Sequence, residues 1–520
     1  MNPSTSTETG KIDTKTNAAA RSTKPRFRFP PSPTGYAHLG NMRTALYNYL
    51  LAEAMGGEFI LRIEDTDQTR YVADSVDNII ESCRKLGLKW AEGPDIGGPY
   101  GPYYQSQRLE IYDKLLHQLV DEGKAYPCFC SPERLEELRK EQEAAKLPPG
   151  YDRRCRDIPP TEARRRMEAG EPYVIRFKMP LEGVTVVNDY LRGELIFENS
   201  TLDDHVLLKR RREGEKYAWP TYHGCSPVDD HLMHISHIVR GDEWLPSSPK
   251  HKLLFEAFGW EVPVFVHLPI ILSPSGKGKM SKRDGTTAIR DFFKLGYLPE
   301  ALVNGLLLLG WSSSTGKEVY TMEEAIAEFS LEGLSKSPAA FNPEKLLWFN
   351  GVHIRRLAPE ELANRCLPYL QEAGYIGTPR TEEEFAYLLK IIPLIQERIT
   401  LLSEVPDQVD FLYKDVGDYT PETLIPKKTS REETLEVLKQ AVALAEAIRD
   451  FGLENVNAEF HKLPDKLGLK AGQVFMPLRV AISGRTVSPG SSTEIMAVLG
   501  KERTVERLKR ALAKLEGMTA

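Results

Sequence analysis

Two segments far apart in the chain carry residues suited to one reaction. The first is Pro31-Ser32-Pro33-Thr34-Gly35-Tyr36-Ala37-His38-Leu39-Gly40, and the second is Lys279-Met280-Ser281-Lys282-Arg283, preceded by Pro274-Ser275-Gly276-Lys277-Gly278. A helix starting near Gly40 offers unpaired backbone N–H groups and the positive end of its dipole, a natural anion site. Gly40 lets a phosphate or an adenine approach the backbone closely, and His38 can donate to a phosphate oxygen. The second segment is a basic loop with glycines before it. Such a loop can close over a triphosphate and stabilise the charge that grows as pyrophosphate leaves. Singly, the two read equally well as a proline-stiffened turn with a surface histidine and as a solvated basic turn. Together and in this order they point to chemistry on the phosphates of ATP.

Other charged residues fall where ordinary packing does not ask for them. Glu64-Asp65-Thr66-Asp67 closes a strand-like run. A carboxylate there can hold a substrate ammonium or help bind magnesium, although acidic turns are also ordinary helix caps. Arg28 and Arg240 lie in strand-like segments, where burying a guanidinium requires a partner. A planar guanidinium suits bidentate binding of a carboxylate.

The elements that would position these residues can be read from periodicity. Arg26 to Phe29 is a short strand, and Pro30, Pro31 and Pro33 with Gly35 enforce a stiff turn. Met42, Ala45, Leu46, Tyr49, Leu50 and Ala54 recur at helical spacing, and Gly56-Gly57 ends that helix. Glu58 to Glu64 reads as a second strand. This β-turn-α-β opening belongs to a doubly wound parallel sheet, in which ligands sit beyond the carboxyl ends of the strands. The turn at 31–40 and the acidic residues after Ile63 are therefore expected on one rim. Between about Ala125 and Arg210 the texture changes to cysteines, short β-like runs and a charged helix from Pro132 to Ala145, which reads as an insertion. The α/β texture returns with strand-like His234 to Arg240, helical Lys250 to Phe258 and a strand over Val264 to Leu272. Everything after about Gly285 reads as helices. The last, Arg503 to Leu515, turns Val505, Leu508, Leu512 and Leu515 inward and predicts a basic outer face of Arg503, Arg507, Lys509, Arg510 and Lys514. Such a face is either solvated or contacts RNA.

The chain has 520 residues, 41% hydrophobic and 27% charged, with a net charge of −6 and six cysteines. It is too long for a single core and expected to hold about three to five structural units. It lacks an apolar run long enough for a membrane span, and no membrane partner is expected. A negative sum excludes a generic nucleic-acid glue but not a local basic face for RNA. Sparse cysteines without a disulfide framework point to a reducing compartment. Residues 1–25 are polar and read as a disordered tail. Glu8 and Asp13 argue against a transit peptide.

Pro31 to Gly40, Arg62-Ile63-Glu64-Asp65-Thr66-Asp67 and Lys279 to Arg283 closely resemble the signatures of class I glutamyl-tRNA synthetases. So do Tyr104-Gln105-Ser106, Leu202-Asp203-Asp204, Pro220-Thr221-Tyr222-His223 and Val228-Asp229-Asp230-His231-Leu232-Met233. The resemblance runs from about Arg26 to the C-terminus. It implies a Rossmann-type parallel-sheet catalytic domain with an α+β insertion, followed by an all-α anticodon-binding region. The implied divisions are the catalytic domain at 26–108 and 216–284, an acceptor-stem-binding insertion at 109–215, a stem-contact helical region at 285–350 and a helical anticodon-binding domain at 351–520. Residue by residue, His38, Lys279 and Lys282 would be catalytic. His38, Gly40, Lys279, Ser281 and Lys282 would bind ATP with its magnesium. Arg28, Ser32, Glu64, Tyr222, Ser226 and Arg240 would line the glutamate pocket. The implied activity is ligation of glutamate to tRNA(Glu) through glutamyl-adenylate by a cytoplasmic monomer. The use of tRNA(Gln) as well, and a mitochondrial or plastid site should the tail be a targeting segment, stay open. A tRNA-modifying paralogue would lack residues 351–520, and a glutaminyl-tRNA synthetase would carry a β-barrel C-terminal half. A non-catalytic tRNA-binding scaffold would have lost the histidine or the basic loop.

The chain departs from the family pattern at Ser226, where asparagine is common, and at Pro30, where the residue is usually small. Some bacterial members hold structural zinc with Cys-x-Cys and a later Cys-x-His. Here Cys128, Cys130 and Cys155 are followed by Asp157 in place of histidine, and Tyr151 is a second candidate for the fourth ligand. Three thiolates and a carboxylate can hold zinc tetrahedrally. The competing reading, a relic site of free thiols, is favoured because a carboxylate is not the preferred fourth ligand. Cys83, Cys225 and Cys366 read as ordinary buried residues.

Overall fold

A computed structural model describes residues 24–518 except 282, 284, 286 and 417. Lys282 and the tail up to residue 23 therefore lie outside the described residues. The chain forms two compact units, one running through Ile289 and resuming over Leu306–Phe341, the other formed by Arg290–Gly305 and the chain from Asn342 onward.

In the first unit, Arg26–Phe29 (β1) and Glu58–Leu61 (β2) pair in parallel with Arg28 opposite Ile60. The helix Leu39–Ala54 crosses between them. Gly56 takes a left-handed φ of 60° just past that helix, the conformation that suits glycine at a helix end. At Gly57 a Cβ would lie 2.2 Å from the Pro25 carbonyl oxygen, so only glycine allows this close approach of the two segments. Ala125–Cys128 (β3) and Val174–Phe177 (β4) open the inserted region, followed by the hairpin Val184–Asp189 (β5) and Gly193–Glu198 (β6), then Val206–Leu208 (β7). Here β3, β4 and β7 form their own antiparallel sheet. The hairpin instead joins His237–Gly241 (β8) and Val264–Leu268 (β9) in the order β6-β5-β9-β8. The insertion thus contributes strands to the sheet that carries Arg240. The Arg26 carbonyl accepts the Ser236 N–H at 3.0 Å, which places β1 beside β8. The strand read as continuous from Val264 to Leu272 is interrupted at Pro269, which has no N–H to give to a ladder. The chain resumes as Ile271–Leu272 (β10), paired in parallel with Ala339–Ala340 (β11), so the region after Gly285 is not purely helical.

The second unit is helical. Thr381, Ser430 and Ser491 each start a helix through a capping box with the glutamate three residues on. The last helix spans Lys501–Glu516 and corrects the expected basic outer face. Arg507 is buried and donates to the carbonyls of Ile482 and Lys414 at 2.5 and 2.9 Å. Arg503 donates to the Leu412 carbonyl, and Lys501 to those of Glu446 and Ile448. These carbonyls lie at or near the C-terminal ends of the helices Val405–Tyr413, Arg431–Ala447 and Ala471–Ser483. The cations satisfy orphan acceptors and the negative ends of helix dipoles. Helical spacing shows which side a residue occupies but not that a neighbouring helix ends there. Among the described residues, no helix is long and apolar enough to cross a membrane.

Candidate active site

His38 is the N-cap of the first long helix. Its Nδ1 accepts the Asn41 N–H at 3.3 Å, and Asn41 Oδ1 accepts the His38 N–H at 2.8 Å. With Nδ1 an acceptor, the neutral ring carries its proton on Nε2. A Cβ on Gly40 would sit 3.2 Å from His38 Cε1 and Nδ1, so the glycine leaves the imidazole its place. The far segment comes to this turn through the backbone: Leu39 N–H donates to the Thr287 carbonyl at 3.0 Å and Ile289 N–H to that of Ala37 at 2.9 Å. In the basic loop, Gly276 and Gly278 take φ of 73° and 75°. Lys279 Nζ stands 3.3 Å from Glu243 Oε1, both exposed, and Ser281 is exposed.

Behind the turn lies a buried set of charges. Arg28 meets Asp230 with Nε and Nη2 at 3.0 and 3.3 Å and the Val239 carbonyl with Nη1 at 3.4 Å. Arg62 contacts Asp230 at 2.9 Å, Glu64 at 3.0 Å and the Ser226 hydroxyl at 3.4 Å. Asp229 accepts from Arg108 at 2.7 Å, from Gln105 at 2.9 Å and from the Tyr112 hydroxyl. Arg28, Arg62 and Arg108 are thus matched by Glu64, Asp229 and Asp230. Burial raises the Glu64 carboxyl above its ordinary value despite Arg62. Burial would also raise Asp230, but Arg28 and Arg62 outweigh it and hold the carboxylate ionised.

Arg240 differs from the other three arginines. It is buried, and its five N–H donors meet five neutral acceptors. Nε donates to His267 Nε2 at 3.0 Å. Nη1 donates to the Tyr222 hydroxyl at 2.9 Å and approaches His251 Nδ1 at 3.3 Å. Nη2 donates to Ser248 Oγ at 3.1 Å and the Trp244 carbonyl at 3.3 Å. Among the described residues, none of these partners is a carboxylate. A buried cation without a counter-ion favours an incoming anion.

The remaining acidic residues serve the backbone. Asp65 accepts the Ser106 N–H and hydroxyl at 2.8 and 2.6 Å. Asp67 bonds Thr69 and Arg70, which lower its carboxyl to about 2. Ser32 is exposed in the turn, its carbonyl accepting the Thr34 N–H at 2.8 Å. Cys128, Cys130 and Cys155 converge, with sulfurs within 4.8 Å of one another. Asp157 is not part of this group: it is exposed on the turn beyond Cys155. The Tyr151 hydroxyl occupies that place, 3.2 Å from Cys128 Sγ and 3.6 Å from Cys130 Sγ, and accepts the Cys155 N–H at 2.9 Å. The neighbouring thiols split their acidities: Cys128 holds the Cys155 thiol below its ordinary value, while Cys155 and burial push Cys128 up.

Residues 24–348 match the family model of class I tRNA synthetases (E and Q), catalytic domain, and residues 361–512 match an anticodon binding domain. A glutamate–tRNA ligase of Dehalococcoides mccartyi is 47% identical over 94% of this chain and 98% of its own. The chain belongs to the glutamate–tRNA ligase family of class I tRNA synthetases. A glutamate–tRNA ligase of Chloroflexus aurantiacus is 46% identical over 95% of this chain and 98% of its own. A crystal structure of a glutamate tRNA ligase from Elizabethkingia meningosepticum, in complex with its amino acid, superposes with a TM-score of 0.84 at 39% identity. It covers 95% of this chain and 100% of that one. Glutamate-tRNA synthetase from Elizabethkingia anophelis gives 0.81 at 38% identity, over 94% and 100% of the two chains. Against the family pattern, Ser226 is buried and accepts from Arg62, so the departure from asparagine falls on a residue that holds an arginine. Sequence reading did not single out Arg62, His251, Ser248 or His267 for the site. The signal was present in Arg62 and His267, polar residues inside the apolar runs Phe59 to Ile63 and Val264 to Leu268, where a parallel strand is normally apolar on both faces.

Proposed function

We propose that the protein joins L-glutamate to tRNA(Glu) in two steps, through glutamyl-adenylate, and that the uncompensated Arg240 receives the side-chain carboxylate of glutamate. The buried guanidinium with only neutral partners carries this reading: its five N–H groups are all engaged, and the carboxylate takes over the Nη1 edge from the Tyr222 hydroxyl and His251. A glutamate carboxylate restores the missing counter-charge, whereas the amide of glutamine brings none and turns donors toward donors. Tyr222 accepts from Arg240 and feels the charges of Arg28, Glu64 and Asp230. Glu64 takes the substrate ammonium and Arg28, with two N–H groups not spent on Asp230 or Val239, takes the α-carboxylate. Ser32 and Ser226 border the same pocket.

ATP lies against the helix start, with His38 Nε2–H donating to a phosphate oxygen, Gly40 leaving room, and Lys279, Ser281 and Lys282 brought to the triphosphate with its magnesium. The glutamate α-carboxylate attacks the α-phosphorus and pyrophosphate leaves. A ribose hydroxyl of the tRNA terminus then attacks the mixed anhydride and AMP leaves. No protein nucleophile is needed; positioning and charge stabilisation supply the rate. Cys128, Cys130, Cys155 and Tyr151 suit a structural zinc, which would staple the inserted region. The insertion at 109–215 binds the acceptor stem, 285–350 contacts the stem and 351–520 reads the anticodon. Six free cysteines accord with a cytoplasmic protein, and we read it as a monomer.

Pyrophosphate exchange with glutamate and both tRNA(Glu) and tRNA(Gln) in parallel tests the reading. Glutamate-dependent exchange and charging of tRNA(Glu) are expected, and charging of tRNA(Gln) as well would make the enzyme non-discriminating. No exchange with either tRNA would end the ligase assignment. Arg240→Ala is expected to cost about tenfold or more in discrimination against glutamine. Unchanged discrimination would remove Arg240 from the pocket.

A further inference from the structure

Arg240 is held from one edge by a closed ring of hydrogen bonds. Arg240 and His267 are register partners on the adjacent parallel strands β8 and β9. Arg240 Nε donates to His267 Nε2 at 3.0 Å, and Arg240 Nη2 donates to Ser248 Oγ at 3.1 Å. Ser248 Oγ lies 3.1 Å from the same His267 Nε2 and closes the ring by donating to it. Both donors require Nε2 to be an acceptor, so the His267 proton sits on Nδ1. That proton goes to Asp189 Oδ2 at 2.7 Å, on the next strand of the sheet. The carboxylate therefore fixes the tautomer, as a partner on the far nitrogen of a histidine does elsewhere. Asp189 is itself pinned: its Oδ1 accepts the N–H groups of Leu191 and Arg192, each at 3.0 Å. Burial lowers the His267 pKa, which keeps the ring neutral and the acceptor in place.

A buried arginine could be satisfied by carbonyls alone. Here a histidine with a dedicated carboxylate spans three adjacent strands to reach one N–H, and the opposite edge of the guanidinium is left to the softer partners Tyr222 and His251. We propose that His267, oriented by Asp189 and joined by Ser248, is a positioning residue for amino-acid selection: it sets the plane in which Arg240 meets the ligand carboxylate. This rests on the reading of Arg240 as the receptor of the glutamate side chain.

The test uses full-length His267→Phe, which keeps a ring and removes the acceptor, and His267→Gln, which restores an acceptor near the Nε2 position. Ser248→Ala removes the other half of the ring with little change in volume. Glutamate and ATP are titrated separately in pyrophosphate exchange with tRNA present, with glutamine as the competing amino acid. His267→Phe is expected to raise the glutamate KM about ten- to a hundredfold and to lower discrimination against glutamine, with the ATP KM unchanged. His267→Gln should recover most of that loss, and Ser248→Ala should raise the glutamate KM several-fold. The proposal is overturned if the glutamate and ATP constants rise together, if Gln is no better than Phe, or, where Phe does not fold, if Ser248→Ala leaves the glutamate KM unchanged. A wild-type chain without glutamate-dependent exchange overturns the ligase reading and this proposal with it. An active wild type with unaffected variants overturns this proposal alone.

Discussion

The backbone of His38 pairs antiparallel with that of Ala288. The bridge joins the cap of the first long helix to the chain that follows the basic loop, so the two segments that resemble halves of one nucleotide site are anchored to each other at one end. The loop is therefore tethered where it leaves the site, whatever its basic residues do. At this bridge Gly40→Ala places a methyl group 3.2 Å from two atoms of the His38 ring. Adenylate formation is expected to fall about tenfold or more as the imidazole is displaced, with ordinary folding stability, because alanine suits the first turn of this helix at least as well as glycine. Exchange kinetics with a parallel unfolding curve check this. A variant with full activity would show that the His38 ring does not need its present place.

Much of this arrangement was legible in the chain. The β-turn-α-β opening follows from a strand, three prolines, a helical stripe and paired glycines, all local signals. What was not legible depends on which neighbours the fold supplies. Arg240 in a strand announces a partner but not that its partners are all neutral, because the side-chain partners come from three other elements: Tyr222 from one helix, Ser248 and His251 from another, and His267 from the neighbouring strand. Asp157 sits at the spacing of a ligand, yet the turn after Cys155 leaves it exposed and brings Tyr151 back to the sulfurs. The basic residues of the last helix have a helical spacing that fits an outer face, yet the ends of neighbouring helices claim several of them.

The thiol cluster makes a metal prediction with a built-in contrast. Protein prepared with zinc is expected to hold about one equivalent. Cys155→Ala should abolish retention and Tyr151→Phe should weaken it, while Asp157→Ala should retain the wild-type amount. Metal content after gel filtration, by absorption spectroscopy, reads this directly. Loss of zinc from Asp157→Ala would restore the carboxylate as ligand.

Acid should act on the histidines beside Arg240. Burial, with the charges of Lys250 and Arg240, lowers His223 from 6.5 to about 4. Burial also holds His251 and His205 well below their ordinary value, with Arg240 foremost among the charges on His251 and His223 foremost on His205. The groups facing His223 are His205, His251, Tyr222, Lys250 and Arg240. Each depressed pKa means that the unfolded chain binds a proton more readily than the folded one. Stability is then full above about pH 6.5 and is lost as pH falls toward 4. His223 alone accounts for up to ~3 kcal/mol of that loss. Urea midpoints across this range should fall for the wild type and fall less steeply for His223→Gln. Parallel curves would mean that His223 titrates normally.

Arg507 offers a test of the helical unit that is independent of catalysis. It is 4% exposed and caps the carbonyls of Ile482 and Lys414, and burial lowers its pKa to about 10, still high enough to keep it charged at neutral pH. Removing it strands two carbonyls and opens a void, so Arg507→Ala is expected to cost ~3 kcal/mol. Arg507→Lys should recover only part, because one ammonium cannot span both carbonyls with the fixed fork of a guanidinium. On the same helix Lys509 is exposed and pairs with Glu446, a contact worth at most about 0.5 kcal/mol. Lys509→Ala should therefore leave stability unchanged. Hydrogen exchange over Ala471–Ser483 and Lys501–Glu516 would separate the two variants. Equal effects from Arg507→Ala and Lys509→Ala would mean that the charge of this helix, not its capping of neighbouring helix ends, stabilises the unit.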